Sequence, residues 1–195
     1  VAQIHSKVNS IQKTPKGDQL GSYPPDATPE IGARGWTWLS KYGILKAETT
    51  NFRWSDSLQW LIYLIDGQRV WQARCFGDDA KRKAYSFGDV SNILHILGNF
   101  PDKDEIIVCE DILSAIKISR FTNSMPLWGA HLPLKTITRL SRLFKRLGIW
   151  LDRDKAVESL KSNRRASQMG LEVRSIISEL DPKAYNDEEI QCFLR

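Results

Sequence analysis

Cysteine is scarce in this sequence: three residues in 195, Cys75, Cys109 and Cys192, far apart and without a Cys-x-x-Cys spacing. That argues against a disulfide framework and an internal zinc ribbon. The thiols lie in apolar surroundings ("QARCF", "IIVCE", "IQCFL"), which points to a reducing, cytoplasmic compartment. Long apolar runs are absent too, as is a signal-peptide pattern, so no membrane partner is expected. There is no Gly-x-x-x-x-Gly-Lys-Ser/Thr segment, which excludes a helicase or ATPase phosphate loop within these residues. His95 and His131 show no metal-ligand spacing. The chain begins with Val, as a piece of a longer or processed protein would.

What is present is a mild excess of positive charge, +5, which suits an anionic partner such as nucleic acid or nucleotide and equally suits plain solubility. Residues 1–30 are polar and rich in Lys, Ser, Gly and Pro, and read as a flexible leader. Residues 31–92 read as a small α+β lobe with antiparallel strands. Trp36, Leu39 and Tyr42 recur at helical spacing before Gly43, and "LQWLIYLIDGQRVWQARCF" is a hairpin about Asp66-Gly67. "GDDAKRKAYSF" supplies a third strand.

In residues 93–195 strands alternate with helices. "EIIVC" is a strand, "DILSAIKISRF" a helix and "MPLWGA" a strand. "LPLKTITRLSRLFKRLG" is an amphipathic helix stopped by Gly148, with Ile137, Leu140, Leu143, Phe144 and Leu147 on one face. "IWLD" is the next strand, a helix runs to Gly170, and "LEVRSII" is the last strand. This alternation predicts an α/β fold, a parallel sheet with helices on both faces.

Ligands of open α/β sheets gather at the carboxyl ends of strands. Three strands here end in acid: Glu110 with Asp111, Asp152 with Asp154, and Asp181. In strand geometry Asp152 and Asp154 point to the same side. Clustered carboxylates raise one another's pKa or recruit a cation, and hard oxygen ligands suit Mg²⁺ or Mn²⁺ bridged to phosphate. Taken singly, Asp111 and Asp154 read better as helix N-caps. The joint pattern, Glu after one strand and Asp-x-Asp after a later one, favours a metal site.

The ordered segments "IIVCEDILSAIKI", "PLWGA", "GIWLDRDKA" and "LEVRSIISELDPKAYNDEEI" resemble a TOPRIM domain, most of all in the primases and helicase-primases of bacteriophages. "PPDATPE", "WTWLSKYGI" and "VWQARCFGDDAKRKAYSFG" are similar to the small N-terminal part of the same catalytic core, so the resemblance covers residues 23–195. It implies a TOPRIM-like sheet over 93–195 and a DNA primase, a nucleotidyltransferase of the DNA-directed RNA polymerase type. Such an enzyme makes short RNA primers from ribonucleoside triphosphates on single-stranded DNA during phage replication, in the host cytoplasm. It further implies Glu110, Asp152 and Asp154 as catalytic ligands of Mg²⁺ (or Mn²⁺), with Asp181 as a further ligand and no zinc. A replicative helicase or zinc-ribbon module outside the chain would be the partner. Two family acids are missing, since Ser114 and Ala184 stand in their places; Asp111 and Asp181 are the residues that can compensate. The alternatives are a TOPRIM-type metal-dependent nuclease, or a non-catalytic module that binds DNA or a replication partner.

Arg74, Lys81, Arg82 and Lys83 are implied by the same resemblance to hold nucleotide or template, against the plain alternative of a solvated turn neutralised by Asp78 and Asp79. Lys155, beside the acids, is placed to neutralise phosphate. Lys135, Arg139, Arg142, Lys145 and Arg146 read as a solvated helix face, with Arg139, Arg142 and Arg146 aligned. Most of the seven tryptophans belong to the core; Trp54, in "NFRWSDS", is expected to be exposed.

Overall fold

Two alternations of side-chain burial organise the chain, one in each of two sheets. The computed structural model describes residues 23–77, 83–90 and 93–195. The first sheet is an antiparallel meander, β1 (Phe52–Ser55), β2 (Trp60–Asp66), β3 (Val70–Cys75) and β4 (Ala84–Phe87), paired in that order. One face carries Trp60, Ile62, Trp71 and Ala73. The other carries Phe52, Trp54, Leu61 and Tyr63, packed against helix α1 (Ala33–Lys41). Arg74 pairs with Leu61 across the ladder, so it projects on that second face.

The second sheet is parallel, in the order β6-β5-β7-β8. Its strands are β5 (Glu105–Cys109), β6 (Asn123–Pro126), β7 (Arg146–Trp150) and β8 (Glu172–Ser175). The helices are α2 (Ile112–Ile118), α3 (Leu134–Leu140), α4 (Ala156–Gln168) and α5 (Asp187–Leu194). Ile106, Val108, Leu147 and Ile149 face α3 and α4 through Ile137, Leu140 and Ala166. Ile107, Cys109 and Trp150 face α2 and α5 through Ala115, Ile118 and Ile190. The α/β architecture, a parallel sheet covered on both faces after an antiparallel lobe, is the one the alternation predicts. Among the described residues no helix is long and apolar enough to cross a membrane.

Three local expectations are corrected. The long amphipathic helix stops at Leu140, because the amides of Lys145 and Arg146 both donate to Asp104 O (2.9 Å each) and turn the chain into β7. Gly148 is therefore no helix stop. It lies inside β7, where a Cβ would fall 2.4 Å from Ile107 Cδ1. The three-arginine face dissolves with the helix: Arg146 is a strand residue bound to Asp104 (2.6 Å). Trp54 is buried, 2% exposed, in a strand the sequence reading missed, and its indole N–H donates to Asp56 Oδ1 (2.6 Å). Finally, β6 ends at Pro126, and the "LWGA" expected to continue it is a loop, with Trp128 at φ 58°.

The two sheets are joined through α2, whose Ile112, Leu113 and Ile116 lie in the same apolar cluster as Phe52, Leu61 and Tyr63. Arg120, just beyond α2, fastens that junction. Its Nε and Nη2 donate to Glu48 (2.7 Å each), Nη1 to Asp187 (2.6 Å) and Nη2 to Gly43 O (2.8 Å). Arg120→Ala would leave Glu48 without its cation in a setting where both side chains are less than one-fifth exposed. We expect a loss of about 2 kcal/mol, on the scale of hydrogen bonds to charged groups, read from denaturant unfolding.

Candidate active site

β5 and β7 run parallel, with Cys109 opposite Trp150. Glu110 follows the first strand directly, and Asp152 lies two residues past the second. The register thus sets two carboxylates side by side at the carboxyl edge of the sheet. Glu110 Oε2 and Asp152 Oδ1 are buried and have no hydrogen-bond partner in the protein. Unsatisfied buried carboxylate oxygens cost free energy, and such exceptions are a signature of a ligand position. Burial first, then the charges of Asp181 and Glu110, push the Asp152 carboxyl up to about 7, against the pull of Lys183. Burial also raises Glu110, opposed by Lys155 and reinforced by Asp111 and Asp154.

Asp111 is committed elsewhere. It caps α2, its Oδ1 accepting from the amides of Leu113 (2.9 Å) and Ser114 (3.2 Å). Its Oδ2 accepts from Ser114 Oγ and Lys183 Nζ, both at 2.9 Å. The same ammonium donates to Asp181 Oδ2 at 2.7 Å. Burial works to lower the Lys183 pKa, but Asp111 and Asp181 outweigh it and raise it. The Lys183 turn is itself held, since the buried Lys117 ammonium donates to the carbonyls of Lys183 and Tyr185.

Asp154 departs from expectation. β7 ends at Trp150, and Arg153–Lys155 is a turn of 3₁₀-helix, so Asp152 and Asp154 do not keep strand geometry. The Asp154 side chain is 68% exposed and accepts from Lys155 Nζ at 2.5 Å. It does not cap α4 either. Among the described residues no three His, Cys, Asp or Glu side chains converge closely enough to form a ready metal cage. Two do fit an ion: the unpartnered oxygens of Glu110 and Asp152 are hard donors, and Mg²⁺ is commonly held by one or two carboxylates with water and phosphate completing its shell.

Glu110 and Asp111 open on a cleft of about 340 Å³ between the sheets, lined also by Lys183, Arg74, Trp38 and Trp128; Asp152 is not in its wall. The Arg74 guanidinium lies over the Trp38 ring (5.4 Å), and its Nε has no partner. The Gly129 amide donates to Glu110 O (3.2 Å), drawing the Trp128 loop over the end of β5. Of the basic residues expected here, Arg74 reaches the cleft. Lys83 is exposed beside β4 and is not in the cleft wall. Lys155 is turned to Asp154, and Lys81 and Arg82 lie outside the described residues. Lys183, Trp38 and Trp128 were missed as site residues. The one available signal was a lysine two positions after Asp181 in "LDPKA".

No protein-family model and no curated protein matches the chain. Solved structures do. The primase of Aquifex aeolicus (zinc-binding and RNA polymerase domains) superposes with a TM-score of 0.58 at 16% identity, over 84% of this chain and 49% of that one. The fold is that of a DNA primase catalytic core. A DNA primase domain from Pseudomonas aeruginosa gives 0.54 at 18% identity, over 84% of this chain and 59% of that one. The primase fragment of the bacteriophage T7 primase-helicase gives 0.51 at 16% identity, over 93% and 81%. The chain thus spans about half the length of the Aquifex primase structure.

The raised Asp152 carboxyl has a consequence for stability. Its folded pKa, about 7, lies above the ordinary 3.8, so between these values the folded state binds more protons than the unfolded one. Stability of the metal-free chain therefore falls as pH rises from about 4 to about 7. Asp152→Asn should flatten that fall, as followed by urea midpoints in the presence of a chelator.

Proposed function

We propose that this chain is the catalytic core of a DNA-dependent RNA primase, joining ribonucleotides on a single-stranded DNA template. The observation that carries the reading is the pair of unpartnered buried oxygens, Glu110 Oε2 and Asp152 Oδ1, on adjacent parallel strand ends of a primase-core fold. Glu110 lines a cleft that also holds Arg74. Glu110 and Asp152 would hold Mg²⁺ or Mn²⁺; Asp154 and Asp181 each give Oδ2 to a lysine and would join through the other oxygen. The bound ion supplies neutralisation of triphosphate charge and of the charge that develops during phosphoryl transfer. Arg74, with an unused Nε, donates to phosphate oxygens. Trp38 and Trp128 give a nucleotide base an aromatic wall to rest against. Lys155 and Lys83 extend the positive surface along the template; Lys81 and Arg82, outside the described residues, are assigned to the template by the resemblance. One solved relative of this fold is a DnaG primase catalytic domain bound to single-stranded DNA, which supports the template class. The T7 fragment comes from a primase-helicase and the Aquifex structure includes a zinc-binding domain, so a helicase or zinc module outside the chain is the partner we infer.

The test is primer synthesis from single-stranded templates, ribonucleoside triphosphates and Mg²⁺ or Mn²⁺, with a zinc-ribbon primase module supplied in trans. Short oligoribonucleotides are expected, and Asp152→Asn should reduce their rate by about 10²-fold or more, the scale of losing a group that stabilises transition-state charge. Arg74→Ala should raise the nucleotide KM and flatten the salt dependence of template binding. No product from any template would sink the primase reading; DNA shortening dependent on Asp152 would replace it with a nuclease. Template binding indifferent to Asp152→Asn, without product, would leave a non-catalytic module.

A further inference from the structure

Lys183 sits between two members of the acidic cluster, donating to Asp111 Oδ2 and to Asp181 Oδ2. An ionised carboxylate has about four acceptor positions. Asp111 fills four: the Leu113 and Ser114 amides on Oδ1, and the Ser114 hydroxyl and Lys183 ammonium on Oδ2. It has none left for an ion. Asp181 gives Oδ2 to the same ammonium. The Lys183 side chain is 17% exposed, and its backbone carbonyl is pinned by Lys117, so the ammonium is fixed rather than mobile. The buried carboxylate oxygens without a hydrogen-bond partner are Glu110 Oε2 and Asp152 Oδ1. Ala184, beside Lys183, brings no ligand, and Ser114 spends its hydroxyl as a donor to Asp111.

We propose that the Lys183 ammonium is a built-in cation that takes the place of a second divalent ion, so that the site binds a single one, at Glu110 and Asp152. An ion held by Asp111 and Asp181 would have to occupy the position of the ammonium and meet its charge. This deepens the reading of the cleft as a divalent-ion site and rests on it, but its measurement is separate from primer synthesis.

The experiment counts Mn²⁺ bound to the intact chain, from the free-ion electron paramagnetic resonance signal, with no nucleotide or DNA present. The native chain should bind one ion, and Asp152→Asn should abolish it. Lys183→Met, checked for folding by its thermal transition, should raise the count to two, and adding Asp181→Asn should return it to one. Lys183→Arg, which keeps the charge, should stay at one. Lys183→Gln serves if the methionine variant fails to fold, because it keeps a donor and loses only the charge. Two ions in the native chain would overturn the proposal, as would a folded Lys183→Met or Lys183→Gln that still binds one. No ion in the native chain, but one in Lys183→Met, would sink the Glu110–Asp152 site while upholding Lys183 as the excluding cation.

Discussion

Adjacent parallel strands force Glu110 and Asp152 together, and the surrounding structure answers that repulsion. The pairing of Cys109 with Trp150 is set by buried side chains on both faces of β5 and β7, so the carboxylates cannot separate without a register slip. A slip by one residue would send Ile106, Val108, Leu147 and Ile149 to the wrong face of the sheet. The fold therefore holds the two acids where neither is comfortable. Their discomfort is visible as two unpartnered oxygens and a raised Asp152 pKa. Lys183 binds the neighbouring acids, Asp111 and Asp181, directly and acts on the central pair only through its charge, which does not undo the rise at either. What remains is crowded negative charge with two unpartnered oxygens, an environment that favours a proton or a cation.

The first lobe completes the cleft through shared packing. The helix that carries the Asp111 cap buries its apolar residues against β1 and β2, so the acidic edge and the Arg74 face belong to one body of packed side chains. Arg120 adds a charged fastening between Glu48 of the first lobe and Asp187 of the last helix. Arg74 reaches the cleft that Glu110 and Asp111 line because it is opposite Leu61, on the face turned toward α1 and α2 rather than toward Trp60 and Trp71. Neither lobe alone forms the cleft: its cations come from both, its carboxylates from the parallel sheet.

Legibility in the sequence followed periodicity and failed where a single long-range contact overrode it. The strand–helix alternation from residue 105 onward was readable because buried parallel strands are short continuous apolar runs, and helices carry an apolar stripe. The segment 141–147 kept a helical stripe on paper, yet Asp104 captures two successive amides there and ends it. Trp54 looked exposed among polar neighbours; its strand exists because Phe52–Ser55 pairs with Trp60–Tyr63, a contact invisible in local composition. In the site, Glu110 and Asp152 were legible from their position after apolar strands. Asp154 was not placed correctly, because a 3₁₀ turn breaks the two-residue period that the Asp-x-Asp spacing suggested. Lys183 was unreadable as a site residue, since nothing local shows that a turn near residue 183 folds back onto the cap of α2.

Positions 114 and 184 belong to one arrangement around Asp111 and Lys183. Ser114 is fully buried and hydrogen-bonded to Asp111. A carboxylate at position 114 would lie beside the Asp111 carboxylate and compete with it for the Lys183 ammonium. Serine there donates instead, and so leaves Asp111 to cap α2 while accepting the lysine. With Ala184 adding no charge, a single ammonium balances the Asp111–Asp181 side of the cluster. Cap, serine and lysine are thus mutually dependent, and the buried unpartnered oxygens are left to Glu110 and Asp152 at the sheet edge.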